Sequence, residues 1–399
     1  MTEKLDMKTS TKTAILFNIK QSKLSSPNKT HETREMGRQI NAVICSGISI
    51  NANFFVDLRR SKTVNSNNNN DIFTVISSTH KVFASGDVHV KINEDVSGKC
   101  IFVFQGFSSN QSVNSNIMEA LICADALKIA GAKKVVLVAP YLPYSRQDKP
   151  ANGESLSFAL MSKAMKASGI DSIITYDCHS QLAINQSAIP IINISASILF
   201  KESIKSVTKY IKNDSIEKIL VISTDEGGRD RANNIAKILT EDIHKGESLG
   251  GNSKAMNPES IKSESDKLID VIVLEKNRDL AIGGNLNIDH EYSAKYSDEL
   301  KINNKIAIIV DDIVDGGFSL ENAAAIAKKI GANKVIAMIS NCLMSELKGC
   351  NNLHKLQSVD EIFAASCILT DEKIDNINGK LSIIESYSSI LDAIYFEIS

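Results

Sequence analysis

Two adjacent carboxylates, Asp311 and Asp312, directly follow an apolar run at residues 306–310 that predicts a fully buried parallel strand. The turn expected after them contains five residues: Asp315, Gly316, Gly317, Phe318 and Ser319. We expect Ser319 to cap a helix beginning near Leu320, because serine is favoured at this position. A glycine turn at a helix N-terminus can hold an anion through its backbone N–H groups. Carboxylates instead accept hydrogen bonds from sugar hydroxyls, so the segment indicates a phosphorylated sugar. The alternative is an Asp-rich turn between a strand and a helix, with no ligand.

A second group of charged and polar side chains follows the predicted strand at residues 135–139. It consists of Arg146, Gln147, Asp148 and Lys149. Ligands of α/β proteins bind at the carboxyl ends of the strands, where Arg146 could grip a phosphate and Asp148 could orient it. An exposed charged loop is the alternative interpretation.

His179 and Asp225 each come directly after a predicted strand, at residues 173–176 and 219–223. On adjacent strand ends, these two side chains could share one divalent ion. Mg²⁺ fits such a site because it takes few protein ligands and keeps waters and substrate phosphates for the rest. A hydrogen bond between the two side chains without a metal is the alternative.

Two cations, Lys276 and Arg278, stand one residue apart at the end of a predicted strand and face the same side of an extended segment. The loop at 279–303 that follows carries Gly283 and Gly284, and we expect it to move. A mobile basic arm could close over a transferring phosphoryl group and neutralise its charge. The alternative is a solvated Lys and Arg pair. The chain contains no Gly-x-x-x-x-Gly-Lys-Ser/Thr sequence, so a nucleotide triphosphate would bind without the usual phosphate loop.

The elements that must position these residues alternate between short apolar runs and helical patterns. This alternation predicts parallel sheets with right-handed crossovers. The phrase Gly131-Ala-Lys-Lys-Val135 recurs as Gly331-Ala-Asn-Lys-Val335, each time between a helical pattern and a strand. Unless this echo is a coincidence, it indicates two similar α/β domains in tandem. We expect a flexible arm at 1–38, domains at 39–190 and 191–399, and a disordered insertion at about 242–266.

Composition narrows the possible partners of the 399-residue chain. Its formal net charge is −2, so no basic field argues for nucleic acid. No window of 18 apolar residues predicts a membrane span. The seven cysteines are scattered and odd in number, which favours reduced thiols in the cytoplasm over a disulfide framework.

The order and spacing of these segments resemble the ribose-phosphate diphosphokinase family, also called phosphoribosyl pyrophosphate synthetases. The resemblance runs from about residue 42 to about residue 394. It is carried by Phe83-Ala-Ser-Gly-Asp87, Pro143-Tyr-Ser-Arg-Gln-Asp-Lys149, Asp177-Cys-His179, Asp225-Glu-Gly-Gly228, Lys276-Asn-Arg278 and Val310-Asp-Asp-Ile-Val-Asp315.

The resemblance implies two tandem phosphoribosyltransferase-like domains, each a parallel sheet flanked by helices. It implies Mg²⁺-dependent transfer of the diphosphoryl group of ATP to ribose 5-phosphate, giving phosphoribosyl pyrophosphate and AMP for nucleotide biosynthesis. It also implies a homo-oligomer, at least a dimer and usually a hexamer.

Residue roles carry over from the family position by position. ATP would be bound by Phe83, Ser85, Gly86, Asp87, Arg146, Gln147, Asp148 and Lys149, with the segment 83–87 reaching the ATP of a neighbouring subunit. Lys276 would be the catalytic cation and Arg278 would help to hold the phosphates, including that of ribose 5-phosphate. Asp311 and Asp312 would take the ribose hydroxyls and residues 315–319 the 5-phosphate, while His179 and Asp225 would be the Mg²⁺-associated pair.

The chain departs from the family at its phosphate turn, which usually reads Asp-Thr-x-Gly-Thr. Gly316 lacks the threonine hydroxyl, and Phe318 stands where relatives have glycine, which could rotate the turn. Such changes also occur in catalytically weak regulatory or associated subunits, so this function stays open as an alternative. A third possibility is a phosphoribosyltransferase that consumes phosphoribosyl pyrophosphate. It would fit the acid pair but not the tandem repeat.

Overall fold

The computed structural model describes eleven stretches of the chain. They are residues 12–15, 39–45, 72–107, 112–150, 152–213, 218–248, 268–274, 305–343, 356–365, 380–384 and 387–398. The chain divides into two compact units, the first ending at Ile194 and including Tyr387–Ser399, the second running from Ser195 to Ser386. The structure therefore places the division a few residues beyond the expected boundary and groups the C-terminal helix with the first unit.

The strands are numbered in chain order. They are β1 (Lys12–Ile15), β2 (Gln39–Ile44), β3 (Ile72–Val75), β4 (Ser77–Val82), β5 (Val88–Ile92), β6 (Cys100–Phe104), β7 (Lys134–Val138), β8 (Ser172–Tyr176), β9 (Ile191–Ile194), β10 (Lys218–Ser223), β11 (Ile269–Val273), β12 (Lys305–Val314), β13 (Ala332–Cys342), β14 (Glu361–Ala364) and β15 (Leu381–Ile383).

The α-helices are numbered in the same way. They are α1 (Val113–Ile129), α2 (Ser157–Ala167), α3 (Gln181–Gln186), α4 (Lys201–Asn213), α5 (Arg229–Ser248), α6 (Phe318–Lys329) and α7 (Tyr387–Ile398), with single 3₁₀ turns at Ala196–Ile198 and Glu226–Gly228. Among the helices that the structure describes, none combines the length and apolar character needed to cross a membrane.

The first unit is built on a six-stranded parallel sheet with the strand order β3-β2-β6-β7-β8-β9. Its central strands are continuous Val, Ile, Leu and Phe runs, as expected for strands covered on both faces. An antiparallel sheet, β1-β4-β5, belongs to the same unit. Within the stretch 1–38, where a flexible arm is expected, the structure describes Lys12–Ile15 as a strand that pairs with β4.

The second unit repeats the design with a six-stranded parallel sheet in the order β11-β10-β12-β13-β14-β15. The two parallel sheets confirm the predicted pair of α/β domains. The first residues of the insertion expected at 242–266 continue helix α5, which ends at Ser248. The remainder of that insertion lies outside the described residues.

The repeated Gly-Ala phrase ends a helix in both units, as the sequence predicts. In the first unit Gly131 has a φ of 88° at the end of α1, a conformation that glycine adopts without strain. Lys128 Nζ then donates to Asp171 Oδ2 at 2.7 Å, and the same oxygen accepts the Val135 N–H at 2.7 Å. One carboxylate therefore joins the helix end to the start of β7.

The second unit contains the same arrangement. Gly331 has a φ of 93°, and Lys328 Nζ donates to Asp360 Oδ2 at 2.7 Å. That oxygen also accepts the Val335 N–H at 2.7 Å. Asp171 and Asp360 each directly precede the next strand of their sheet, so the structure extends the duplication that the repeated phrase indicates.

Candidate functional site

The acid pair lies inside a strand of the second unit, and not after it as predicted, because β12 continues through both residues to Val314. Asp311 and Asp312 are only 8% and 4% exposed. The Asp311 Oδ2 atom accepts a 2.7 Å hydrogen bond from the hydroxyl of Thr224, the residue that follows the neighbouring strand β10. The Asp312 Oδ1 atom lies 3.2 Å from Nη2 of Arg231 on α5.

Two buried carboxylates side by side disfavour each other's ionised form. Burial, with the charge and hydrogen bond of Asp312, raises the pKa of Asp311 to about 7. Thr224 and Arg231 act in the opposite direction because each stabilises the carboxylate form. The pair can therefore hold a proton near neutral pH, and hydroxyl donors or a cation would favour its release.

The turn after the acid pair reverses at Gly317, which has a φ of 78° and precedes the first residue of α6. The prediction that Ser319 caps the helix is wrong, because α6 begins one residue before it, at Phe318. A Cβ atom at position 317 would lie 3.3 Å from Cδ2 of Leu356, so a side chain there would displace Leu356 slightly in addition to straining the backbone. Positive φ falls on Gly317, hence Phe318 can stand in place of a glycine without strain.

The structure thus brings the predicted sugar and phosphate residues together within one unit. Asp315 and Gly316 lie between the acid pair and the helix, partly buried, whereas Phe318 and Ser319 are exposed in the first turn of α6. The first N–H groups of a helix have no acceptor within the helix, so this end of α6 attracts an anion. Carboxylates and an anion cradle are then neighbours at the carboxyl end of a central strand.

The predicted metal pair is divided between the two units. His179 follows β8 in the first sheet and Asp225 follows β10 in the second, so the assumption that their strands are adjacent is wrong. Asp225 is the N-cap of the turn Glu226–Gly228, where its Oδ1 accepts the Gly228 N–H at 3.2 Å. A shared Mg²⁺ ion stays a prediction.

His179 lies in a strained backbone segment. Asp177 has a φ of 35°, which non-glycine residues seldom adopt and which is often found at functional sites. The Cys178 N–H donates to Asn193 Oδ1 at 2.8 Å, and the Asp177 N–H donates to the Ile194 carbonyl at 3.0 Å. Strand β9 therefore supports the turn that presents His179.

The predicted ATP segment after β7 separates into exposed and buried residues. Arg146, Gln147 and Lys149 are exposed, while Asp148 is only 3% exposed. The Asp148 carboxylate accepts the hydroxyl of Ser180, which also caps α3 through the Ala183 N–H. The structure thus gives Asp148 a supporting role, and the ATP contacts of this segment stay predictions.

The other predicted ATP segment is the hairpin turn between β4 and β5. Phe83, Ser85, Gly86 and Asp87 are all exposed, and Gly86 has a φ of 94°. Ser85 Oγ donates to Asp87 Oδ2 at 2.7 Å, which stiffens the turn. The Phe83 ring is 54% exposed, a large apolar surface at the tip of a hairpin.

Lys276 and Arg278 lie outside the described residues, because the stretch that contains β11 ends at Leu274. Sequence reasoning missed two residues that hold the acid pair, Thr224 and Arg231. The sequence signal for Thr224 was its position directly after β10. Neighbouring parallel strands have their carboxyl ends at the same edge of the sheet, so Thr224 lies beside the acid pair. Arg231 gave no signal, because only the packing of α5 brings it to the strand.

Two protein families match the sequence of the chain. Residues 60–169 match the N-terminal domain of ribose phosphate pyrophosphokinase, and residues 193–366 match the phosphoribosyl transferase domain. Together the two matched stretches cover most of the chain, one in each unit. The fold and the site in the second unit therefore define a two-domain enzyme of the phosphoribosyltransferase type.

Curated relatives agree with this class. The ribose-phosphate pyrophosphokinase of Campylobacter jejuni is 28% identical over 79% of this chain and 86% of its own length. The enzyme of the same name from Thermotoga maritima is 28% identical over 78% of this chain and 84% of its own.

The fold is similar to a crystal structure of phosphoribosylpyrophosphate synthetase from Mycobacterium smegmatis. The TM-score is 0.62 at 22% identity, over 87% of this chain and 96% of that one. The chain belongs to the ribose-phosphate pyrophosphokinase family, the family that the sequence motifs predicted.

Proposed function

We propose that this chain transfers the diphosphoryl group of ATP to the 1-hydroxyl of ribose 5-phosphate, giving phosphoribosyl pyrophosphate and AMP. The observation that carries the proposal is the buried Asp311–Asp312 pair, followed directly by the glycine turn at the start of α6. A sugar phosphate needs both parts: acceptors for its hydroxyls and N–H donors for its phosphate.

Ribose 5-phosphate binds in the second unit. Asp311 and Asp312 accept hydrogen bonds from the ribose hydroxyls, and binding favours the ionised form of the pair. The turn at residues 315–319 takes the 5-phosphate, with Gly317 letting the backbone approach it. Arg231 and Thr224 keep the two carboxylates in place through their hydrogen bonds to Asp312 and Asp311.

ATP binds through Arg146, Gln147 and Lys149 and through the hairpin Phe83–Asp87 of a neighbouring subunit. The exposure of these side chains supports both contacts, since an oligomer can reach the hairpin. The protein would then act as a homo-oligomer, based on dimers and possibly hexameric. ATP and ribose 5-phosphate are its partners, with no nucleic acid or membrane required.

The chemistry is a displacement at the β-phosphorus of ATP. The ribose 1-oxygen forms a bond to this phosphorus and its hydroxyl proton passes to solvent. The bond from the β-phosphorus to the oxygen that bridges to the α-phosphate breaks, so AMP leaves with that oxygen. Lys276 and Arg278 neutralise the charge that spreads over the transferring group. The remaining protein contribution is positioning, which can account for several powers of ten in rate.

Mg²⁺ is the cofactor that the reaction implies, and Asp225 is the residue of the second unit that would hold it. Asp225 fits the role, because Mg²⁺ prefers carboxylate oxygens and this side chain is only partly buried at a strand end. When bound, the ion would offset the negative charge of the substrate phosphates. We place the reaction in the cytoplasm, where thiols such as Cys45 and Cys123, which form no disulfide with a described residue, stay reduced.

The product and its dependence on the acid pair test this function. With both substrates and Mg²⁺, phosphorus NMR should show the diphosphate signals of phosphoribosyl pyrophosphate. Asp312→Asn should lose ribose 5-phosphate affinity in calorimetry while ATP affinity stays near the wild-type value. Binding of both substrates without product would instead indicate a catalytically weak regulatory or associated subunit.

A further inference from the structure

A second cluster of reactive side chains lies in the core of the first unit, apart from the proposed substrate residues. It consists of Cys45, His80 and Cys123, all buried, whose potential ligand atoms lie within 4.8 Å of one another. Cys45 directly follows β2, His80 lies on β4 and Cys123 lies on α1. Three separate parts of the fold therefore bring two thiol sulfurs and one imidazole nitrogen close together.

The neighbouring side chains extend this cluster. Glu119, four residues before Cys123 on α1, places Oε1 2.6 Å from His80 Nδ1. Ser78, two residues before His80 on β4, places Oγ 2.8 Å from His80 Nε2. All five side chains are at most 6% exposed. The inner face of α1 would ordinarily be apolar here, and the buried Glu119 carboxylate is accounted for by its contact with His80.

We propose that Cys45, His80 and Cys123 form a binding site for Zn²⁺. Two thiolates and one imidazole are a donor set that zinc prefers, and a tetrahedral ion leaves one position for a water or the Ser78 hydroxyl. Glu119 holds the imidazole through Nδ1, as carboxylates commonly do next to zinc-bound histidines. Zinc binding through Nε2 requires the Ser78 hydroxyl, which lies 2.8 Å from that atom, to turn away.

The balance of charge and protons follows from the burial of the thiols. Cys45 and Cys123 are both buried thiols, and each must lose its proton to bind a metal ion as a thiolate. Zn²⁺ binding forms two zinc–sulfur bonds and one zinc–nitrogen bond. One proton leaves each thiol, so two protons are released to solvent for each ion bound, and no oxidant or reductant is needed.

Occupancy would stiffen one substrate segment from inside the fold. His80 lies three residues before Phe83, and β4 leads directly into the exposed hairpin turn at residues 83–87. An ion shared by β2, β4 and α1 would also tie three elements together, and a ligand that binds only the folded state stabilises it. The site is thus a structural one, and its test does not depend on catalysis.

The test uses the full-length, reduced protein after treatment with a chelator. Titration with Co²⁺, a spectroscopic substitute for Zn²⁺, should give thiolate-to-metal charge-transfer absorption that saturates at one ion per chain. Zn²⁺ should displace the Co²⁺ and raise the melting temperature. Calorimetry of Zn²⁺ binding to the metal-free protein, in buffers of different ionisation enthalpy, should show the release of two protons per ion.

Variants locate the site. Cys45→Ser and Cys123→Ser should each lose the Co²⁺ absorption, whereas the matched control Cys100→Ser should keep it, because Cys100 lies on β6 outside the cluster. If the core variants fail to fold, the wild-type stoichiometry and proton release decide alone. Absence of the charge-transfer band in the wild type would overturn the site, as would full absorption in folded Cys45→Ser and Cys123→Ser.

Discussion

Arg231 on α5 points its guanidinium at Asp312 on β12, with 3.2 Å between Nη2 and Oδ1. The two side chains are 12% and 5% exposed, so this ion pair is largely removed from water. The Arg231 Nε atom is buried and has no hydrogen-bond acceptor among the residues that the structure describes. Arg231 therefore acts as a positioning residue for the acid pair, and its loss would leave a carboxylate buried without a cation.

Replacing this arginine should damage both stability and sugar binding. We expect Arg231→Met to lower the free energy of unfolding by roughly 3 kcal/mol, because breaking a buried pair leaves its partner uncompensated. Ribose 5-phosphate affinity should fall about tenfold or more, while ATP affinity changes little. Urea denaturation and calorimetry measure the two effects.

Arg229 is the matched control on the same helix. It pairs with Glu226 on the surface, where both side chains are more than half exposed. Such exposed pairs contribute about 0.5 kcal/mol or less, so Arg229→Met should be close to the wild type. Equal losses in the two variants would contradict the role given to Arg231.

The raised pKa of Asp311 predicts how stability depends on pH. An unfolded Asp has a pKa of about 3.9, whereas burial and Asp312 raise the pKa of folded Asp311 to about 7. Between these values the folded state binds the extra proton, so the free energy of unfolding should fall as pH rises through this window. The expected loss is on the order of 2–4 kcal/mol between about pH 4 and about pH 7.

Asp312→Asn isolates the cause of this dependence. Removing the like charge should lower the Asp311 pKa and flatten the decline measured by denaturant unfolding across the window. Asp230→Asn, at an exposed position of α5, is the control and should keep the wild-type slope. If the free energy of unfolding of Asp312→Asn fell with pH as in the wild type, the interaction between Asp311 and Asp312 would not be the cause of the decline.

The glycine turn should be sensitive at one position. Gly317→Ala forces a side chain into a left-handed backbone conformation and to within 3.3 Å of Leu356 Cδ2. We expect a loss of about 1–2 kcal/mol in stability. Ribose 5-phosphate should also bind more weakly, measured by calorimetry.

Gly98 provides the comparison for that substitution. It has a φ of 70° but open space around the missing Cβ, and it lies in the first unit. Gly98→Ala should therefore show a similar backbone cost with unchanged affinity for ribose 5-phosphate. If Gly317→Ala bound the sugar phosphate normally, the turn would not be its phosphate cradle.

Lys276 carries the prediction for catalysis. Lys276→Ala should reduce turnover about a thousandfold or more, because a cation that offsets transition-state charge is lost. Folding should be unaffected, as circular dichroism and the melting temperature would verify. The control is Lys166→Ala at an exposed position of α2, and near-normal turnover of Lys276→Ala would refute the assignment.

Much of the fold could be predicted from the sequence because its strands are continuous apolar runs. The strand at 306–310 and the repeated Gly131 and Gly331 phrases were sufficient to predict two parallel α/β domains, and the structure confirms them. These signals are local, since burial on both faces requires an uninterrupted apolar run.

The end of β12 could not be predicted, because it depends on contacts distant in sequence. Aspartates usually end strands, but here Asp311 continues the ladder to Ile339 and is held by the Thr224 hydroxyl. The helix start was misplaced for a similar reason: Gly317 takes the cap position through its backbone, while Ser319 has a side chain that suits a cap. Pairing and packing thus overrode the local preferences.

The most direct measurement of the central claim is AMP release from the purified protein with ATP, Mg²⁺ and ribose 5-phosphate. The control omits ribose 5-phosphate. The proposed function predicts AMP formation that depends on the sugar phosphate and that is lost in Lys276→Ala. Folded protein that binds ATP or ribose 5-phosphate but forms no AMP would contradict it.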